Sequence, residues 1–206
     1  MTNDFLGGWD GPKGVDHPSR KFVRGIVEDG ESLLDVGCGT AIELRGFLEA
    51  KRKIRYTGID SDYGRGKWCA DEYPDGNFVV GDFKGWSRDV GEGAYDNVLV
   101  RAVLEHNLDH AEIVRLGLRL AKKRLILVIF NWWEGDEDLK FRVKEDGTIC
   151  GTLSLPKLRK LIEGYGGYVV EEAGPFEHNH YVLVVGKKGG RVTGVAQTKG
   201  GQIGKK

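Results

Sequence analysis

The chain has 206 residues, with 31 basic against 31 acidic side chains, a net charge of +0 and a pI of about 7.0. That length gives a single α/β domain a sizeable core and is short for two. The neutral balance lacks the global field of a nucleic-acid or membrane-surface binder, and the longest apolar run, Leu125 to Phe130, is far too short to span a bilayer.

Residues 1–17 read as an irregular arm carrying Phe5 and Trp9 among several glycines. Met1 to Phe5 lacks the basic start and apolar run of a signal peptide. Three scattered cysteines, Cys38, Cys69 and Cys150, argue against a disulfide scaffold, so a cytoplasmic setting is expected. His17-Pro18 opens a helix with Pro18 in its first turn, Phe22, Val23, Ile26 and Val27 form its apolar stripe, and Gly30 ends it.

From Ser32 the pattern alternates. Strands are predicted at 32–36, 55–60, 77–80, 94–100, 124–130, 168–173 and 180–186, with helices near 41–52, 64–73, 109–121 and 155–165. Such alternation implies a mostly parallel sheet covered on both faces. The segment Gly174 to Asn179 is too short for a helical crossover, so the last two strands should pair antiparallel. An insertion at about 139–152 reads as a hairpin around Asp146-Gly147, either a substrate lid or a cover over a helix end. The tail 188–206 is glycine-rich and basic, a solubilising end in preference to a contact for a phosphate backbone.

The densest signal is Ser32 to Ala41, a strand that ends in an acid and opens into the glycine turn Gly37-Cys38-Gly39. Tyr56-Thr57-Gly58-Ile59-Asp60 is a second strand ending in an acid. A strand, a glycine turn and a later ribose-binding acid make a nucleoside site. A dinucleotide fingerprint would place its third glycine at bulky Ile42, whereas the small residue here is Ala41. Asp35, just before the first glycine, would repel a pyrophosphate and welcome a cationic ligand.

The run Asp-Val-Gly-Cys-Gly-Thr-Ala, Asp35 to Ala41, resembles the first motif of the class I S-adenosylmethionine-dependent methyltransferases, with Ala41 where those proteins usually carry glycine. The resemblance covers residues 18–187. It implies a Rossmann-like, doubly wound, seven-stranded and mostly parallel α/β sheet, with an antiparallel last strand and helices on both faces. It further implies S-adenosyl-L-methionine as cofactor and S-adenosyl-L-homocysteine as product.

Roles for single residues follow from that resemblance. Gly37, Cys38 and Gly39 let the backbone approach the methionine part, and Asp35 helps to hold its ammonium. Asp60 accepts from the two ribose hydroxyls, with Ser61 beside it and Asp62 as runner-up; a helix cap is the plain alternative for an acid here. Asp82 reaches the adenine amino group and Phe83 packs on the ring. Arg101 to His106 resembles the Val-Leu-Glu-His segment of small-molecule methyltransferases. Arg101, counted with the cofactor set, replaces a small or polar residue and pairs with an acid of the acceptor or of the protein. His106 is the candidate base, against a purely structural hydrogen bond to a backbone carbonyl, and Glu105 orients or pairs.

Trp132 and Trp133 wall an aromatic or lipid-like acceptor or close the core beneath the hairpin, while Trp9 and His17 cover the pocket. His178 and His180 are assigned to an exposed turn in preference to the rim of the pocket. No metal is expected. The expected reaction is in-line transfer of a methyl group to a small-molecule acceptor. Rival readings are a methyltransferase of RNA, DNA or protein, a non-catalytic S-adenosylmethionine-binding protein, and a nicotinamide oxidoreductase. The first lacks the Asn-Pro-Pro-Tyr, Asp-Pro-Pro-Tyr and Pro-Cys signatures of DNA enzymes, and the last is opposed by Asp35 and Ile42.

Overall fold

The computed structural model describes residues 12–137, 140–145 and 147–187. Trp9, Asp146 of the hairpin turn and the tail 188–206 lie outside the described residues.

Helices α1 (Pro12–Val15) and α2 (Pro18–Ile26) lead into strand β1 (Ser32–Val36). There follow α3 (Ile42–Glu49), β2 (Arg55–Asp60), α4 (Tyr63–Glu72), β3 (Asn77–Val80), α5 (Phe83–Trp86), β4 (Tyr95–Arg101), α6 (His110–Leu120) and β5 (Ala121–Ile129). The insertion contributes β6 (Trp132–Trp133), β7 (Lys140–Val143) and β8 (Ile149–Ser154), before α7 (Leu155–Gly164), β9 (Gly167–Ala173) and β10 (Tyr181–Lys187). Part of the arm expected to be irregular is thus one helical turn, α1, whose last carbonyl, on Val15, accepts from Arg24 Nη2 at 2.9 Å.

Seven strands form one sheet in the order β3-β2-β1-β4-β5-β10-β9. β10 runs antiparallel to both β5 and β9, and the β1–β2, β2–β3, β1–β4 and β4–β5 pairs are parallel. This is the expected Rossmann-like architecture. Its cause is visible in the alternation of the central strands, which are apolar on both faces. Leu34, Val36, Val98, Val100, Leu125, Leu127, Leu183 and Val185 pack in one cluster with Ile113, Leu116 and Leu158 of α6 and α7. Leu33, Leu99, Ile126, Val128, Val182 and Val184 pack in the other with Val23, Leu44, Phe47 and Cys69 of α2, α3 and α4.

One buried charge inside the sheet is held by polar partners. Arg124, at the amino edge, is 1% exposed and holds Asn97 Oδ1 at 3.2 Å and Glu31 Oε2 at 3.4 Å. A buried guanidinium left without such partners would be strongly destabilising.

The small sheet has β8 between β6 and β7, with β7 antiparallel to it in the register Lys140↔Thr152 to Val143↔Ile149. It packs on the single turn Leu104–His106 that follows β4. A Cβ added at Gly151 would lie 2.6 Å from Phe141 and 3.1 Å from the Glu105 carbonyl, so glycine is what lets the hairpin approach.

The strand order also dictates where a ligand can enter. The chain winds outward from β1 to β3, then returns to place β4 on the other side of β1. The helices flanking β1 and β4 diverge there, which opens a crevice at the carboxyl ends of those two strands.

Candidate active site

The glycine turn fills that crevice. Gly37 (φ 70°), Gly39 (φ 55°) and Ala41 (φ 53°) all adopt left-handed backbone. A Cβ on Gly37 would stand 2.5 Å from Val103 Cγ2, so glycine is required by contact as well as by φ. At Ala41 the left-handed conformation costs roughly 1–2 kcal/mol. Its fully buried methyl returns about 0.8 kcal/mol by packing in the cluster with Val23, Leu33 and Phe47. Ala41 therefore performs the turn that glycine performs in the related motif, and its methyl lines neither of the two chambers described next.

The first chamber, about 270 Å³, lies along the ends of β1, β2 and β3. It gathers Gly37, Asp60, Ser61, Asp82, Phe83 and His106 from the expected set. Asp60 Oδ2 accepts from the Gly39 N–H at 2.8 Å and Oδ1 from the Asp62 N–H at 2.9 Å. The carboxylate thus ties the glycine turn to the end of β2. The helix cap that rivalled its functional role falls on Asp62, which accepts from the Arg65 N–H. Asp82 caps α5, accepting from the Gly85 N–H at 2.8 Å, and still faces the chamber. Phe83 is buried against the core on one side and borders the chamber on the other.

The second chamber, about 410 Å³, meets the first at Gly37, Arg65, Ala102 and His106. Its polar wall follows from strand periodicity. Two residues beyond buried Leu33, Leu99 and Val128, on the same face, stand Asp35, Arg101 and Phe130. Two residues before Val182 stands His180, because antiparallel β10 begins at the edge where the parallel strands end.

Asp35 is 3% exposed and its Oδ2 accepts from the Tyr56 hydroxyl at 2.7 Å. Burial lifts its carboxyl to about 7, with Glu43 adding to the rise and Tyr56 opposing it. Arg101 is 7% exposed, with Nε 2.7 Å from Glu43 Oε1 and Nη1 donating to Ser19 Oγ at 2.9 Å. Arg20 Nη1 donates to the same Glu43 oxygen at 2.8 Å. The protein acid expected to partner Arg101 is therefore Glu43. Burial lowers the Arg101 pKa to about 10, with Glu43 opposing the fall. Arg101 Nη2, Glu43 Oε2 and Thr40 Oγ1 are buried without hydrogen-bond partners among the described residues. Burial pushes the Cys38 thiol up, which keeps it a small apolar filler of the turn.

Ser19 Oγ is a hub, 2.9 Å from His17 Nδ1 and 3.0 Å from His180 Nδ1. His17 Nδ1 also accepts from the Ser19 N–H, so its proton sits on Nε2, which donates to the Glu177 carbonyl at 3.1 Å. The His180 ring lies 4.1 Å from His17 and stacks on Phe130 at 4.4 Å and 17°. Burial lowers His180 to about 3, with His17 and Arg101 adding to the fall. The assignment of His180 to an exposed turn is corrected here. It is 5% exposed and lines the chamber, because pairing of β10 with β5 carries it onto Phe130. His178 stays exposed at the rim.

His106 Nδ1 donates to the Ile149 carbonyl at 2.7 Å, which leaves the lone pair of the neutral ring on Nε2. Glu105 is fully buried and its Oε1 accepts from the Phe130 N–H at 2.6 Å. Burial raises its carboxyl and the Phe130 N–H opposes the rise. Glu105 thereby locks the Leu104–His106 turn to the end of β5.

Trp132 and Trp133 border neither chamber. Trp132 Nε1 donates to the Asn179 carbonyl at 2.7 Å and its ring rests 4.9 Å from Tyr181, beneath the hairpin. Among the described residues no group of three or more His, Cys, Asp or Glu is placed to hold a metal ion.

Sequence reasoning passed over Ser19, Arg20, Glu43 and Phe130. Glu43 alone left a trace, as an acid in the first turn of the helix after the glycine turn.

The buried Asp35 carboxyl sets a pH dependence. The folded state keeps its proton up to about pH 7, whereas the ordinary value is 3.8, so the folded protein binds more protons in between. Stability is present below that window and is lost as pH rises through it. Asp35→Asn, neutral throughout, gains on the parent by up to about 1.4 kcal/mol per pH unit across the window. Paired urea denaturation series check this; a stability difference flat with pH would mean Asp35 ionises normally.

A family model described as a methyltransferase domain matches residues 18–172. No curated protein matches the chain significantly. Among solved structures, a Haloferax volcanii protein in complex with the Trm112 methyltransferase activator is similar at 18% identity and TM-score 0.62, over 87% of this chain and 88% of that one. The Burkholderia thailandensis 1,6-didemethyltoxoflavin-N1-methyltransferase, with 1,6-didemethyltoxoflavin and S-adenosylhomocysteine bound, is similar at 18% identity and TM-score 0.64, over 85% and 80%. The magnesium protoporphyrin IX methyltransferase of Synechocystis, with bound SAM, is similar at 16% identity and TM-score 0.61, over 85% and 78%. At such identities the likeness is one of fold.

Proposed function

The chain belongs to the methyltransferase domain family, whose methyl donor is S-adenosyl-L-methionine, and we propose that it transfers that methyl group to a small-molecule acceptor by in-line displacement. The observation that carries this reading is the pair of chambers meeting at Gly37, Ala102 and His106. One chamber suits a nucleoside, and the other suits the donor's amino-acid end together with an acceptor.

The residues present fit the donor. The glycine turn offers a backbone cradle at Gly37 and Gly39, and Asp60 offers a carboxylate to ribose hydroxyls. Asp82 and Phe83 border the base end, and Asp35, Thr40 and Glu43 face the amino-acid end. When bound, the donor supplies a methyl carbon already activated by its sulfonium. The protein's part is to align the acceptor, exclude water and take its proton. His106 Nε2 receives that proton when the acceptor is a hydroxyl, and Glu105 holds the turn that carries His106. The hairpin is tied to His106 through the Ile149 carbonyl.

The toxoflavin and protoporphyrin enzymes, by name methyltransferases of small molecules, support the choice of acceptor class. So does the neutral charge of the chain. Among the described residues no helix is long and apolar enough to cross a membrane, and the three thiols form no disulfide, which suits a reducing compartment such as the cytoplasm.

Calorimetry tests the reading. S-adenosylhomocysteine should bind at micromolar concentration and NAD should not. Binding of NAD alone, or of neither, would remove it.

A further inference from the structure

We propose that the second chamber takes a planar aromatic acid as acceptor, with Arg101 reading the carboxylate and the Phe130–His180 stack holding the ring. This rests on the methyl-transfer reading above and narrows its acceptor.

The guanidinium is the first observation. Arg101 is 7% exposed, with Nε in an ion pair with Glu43 at 2.7 Å and Nη1 donating to Ser19, while Nη2 has no hydrogen-bond partner among the described residues. A buried, charged donor without a partner is costly, and a ligand that completes it recovers that cost. The charge-assisted hydrogen bond that Nη2 can donate favours an anionic oxygen over a neutral one.

Charge complementarity points the same way. Arg20 and Arg101 share one acid, Glu43, through the same oxygen. The other acid of the chamber, Asp35, is raised by burial to about 7 and keeps its proton below that pH. His180 is neutral as well. The chamber is therefore left with uncompensated positive charge, to which the donor's sulfonium adds. An anion is the complement of such a site, and a cationic or neutral acceptor is not.

Shape supplies the aromatic part. The Phe130 and His180 rings lie nearly parallel at 17°, with His17 4.1 Å beyond His180, so one wall is a continuous run of ring atoms. A flat ring is what such a wall selects. His106, at the junction of the chambers, stands where the acceptor's nucleophilic atom must meet the methyl group.

The rival occupant for Arg101 Nη2 is the carboxylate of the donor itself, and the test separates the two. Protein saturated with S-adenosylhomocysteine is titrated with benzoate, salicylate and 4-hydroxybenzoate, each against its neutral amide. At least one acid should bind about 10- to 100-fold more tightly than its amide, the range of one charge-assisted hydrogen bond. Arg101→Gln should erase that preference. S-adenosylhomocysteine and 5′-methylthioadenosine, which lacks the amino-acid part, are titrated into both proteins, and the ratio of their affinities should be the same in each. Acids and amides binding alike, or no acid binding, would overturn the proposal. So would an Arg101→Gln protein in which that ratio collapses, which would assign Arg101 to the donor. The comparison of acid with amide needs only the parent protein, and the double variant Glu43→Gln, Arg101→Gln removes the buried pair together should the single variant not fold. Failure of the methyl-transfer reading looks different: the parent would not bind S-adenosylhomocysteine at all.

Discussion

Replacing His106 by glutamine is expected to lower turnover of a hydroxyl acceptor roughly 10²- to 10⁴-fold, the usual contribution of a positioned general base. The geometry argues for a proton acceptor at this place. The Nδ1–H is fixed on the Ile149 carbonyl at 2.7 Å, so a neutral His106 carries its lone pair on Nε2, at the junction of the two chambers. Glutamine preserves a polar contact but cannot accept the proton. The measurement is single-turnover methyl transfer across pH, using the first acceptor found by screening. The parent should exceed His106→Gln by that factor. Turnover unchanged by the substitution would leave His106 with the structural role its hydrogen bond to Ile149 also allows. The same result would mean that the acceptor reacts without losing a proton first.

Asp60→Ala is expected to weaken S-adenosylhomocysteine binding by about 10- to 100-fold, equivalent to losing one charge-assisted hydrogen bond of roughly 1.5–3 kcal/mol. Two effects act together. The ribose loses its carboxylate, and the glycine turn loses the anchor that Asp60 Oδ2 provides to the Gly39 N–H at 2.8 Å. Asp62→Ala separates these roles from plain helix capping. It removes the cap of α4, costs stability by roughly 0.5–2 kcal/mol, and should leave the ligand affinity near that of the parent. Calorimetry for affinity and urea denaturation for stability give the two readouts independently. Equal losses of affinity in both variants would mean that the loop after β2, rather than the Asp60 carboxylate, holds the ligand.

Much of this was legible along the chain because the signals are local. Apolar runs of four to nine residues separated by helical periodicity specify strands and helices, and the observed elements begin and end within a few residues of those expected. β5 starts at Ala121 instead of Arg124. Lys122 and Lys123 hide that start, since a charged pair at a strand's amino end reads as loop. The turn Gly37-Cys38-Gly39, the strand-end acids Asp60 and Asp82, and the segment ending at His106 were likewise visible, because each sits beside its own strand.

The wall of the second chamber was not visible, for a reason that is equally physical. His17 and Ser19 come from the first helix, Glu43 from α3, Arg101 from β4 and His180 from the last hairpin, and each touches partners far along the chain. No spacing rule connects such residues. His180 read as part of an exposed turn because its neighbours Glu177 to Asn179 are polar, and pairing of β10 with β5 alone turns it inward. Trp132 and Trp133 read equally as pocket lining or as closing the core beneath the hairpin, and Trp132 is drawn to Asn179 and Tyr181. The sequence by itself determined the strand-helix alternation, the glycine turn and the acids that end the strands, all of which depend on backbone preferences and near neighbours. Only the tertiary structure decided which charges share Glu43, which rings form a wall and which histidines line the second chamber. Those contacts exist because the sheet brings distant strand ends to one edge, and their energies depend on a burial that no single segment possesses.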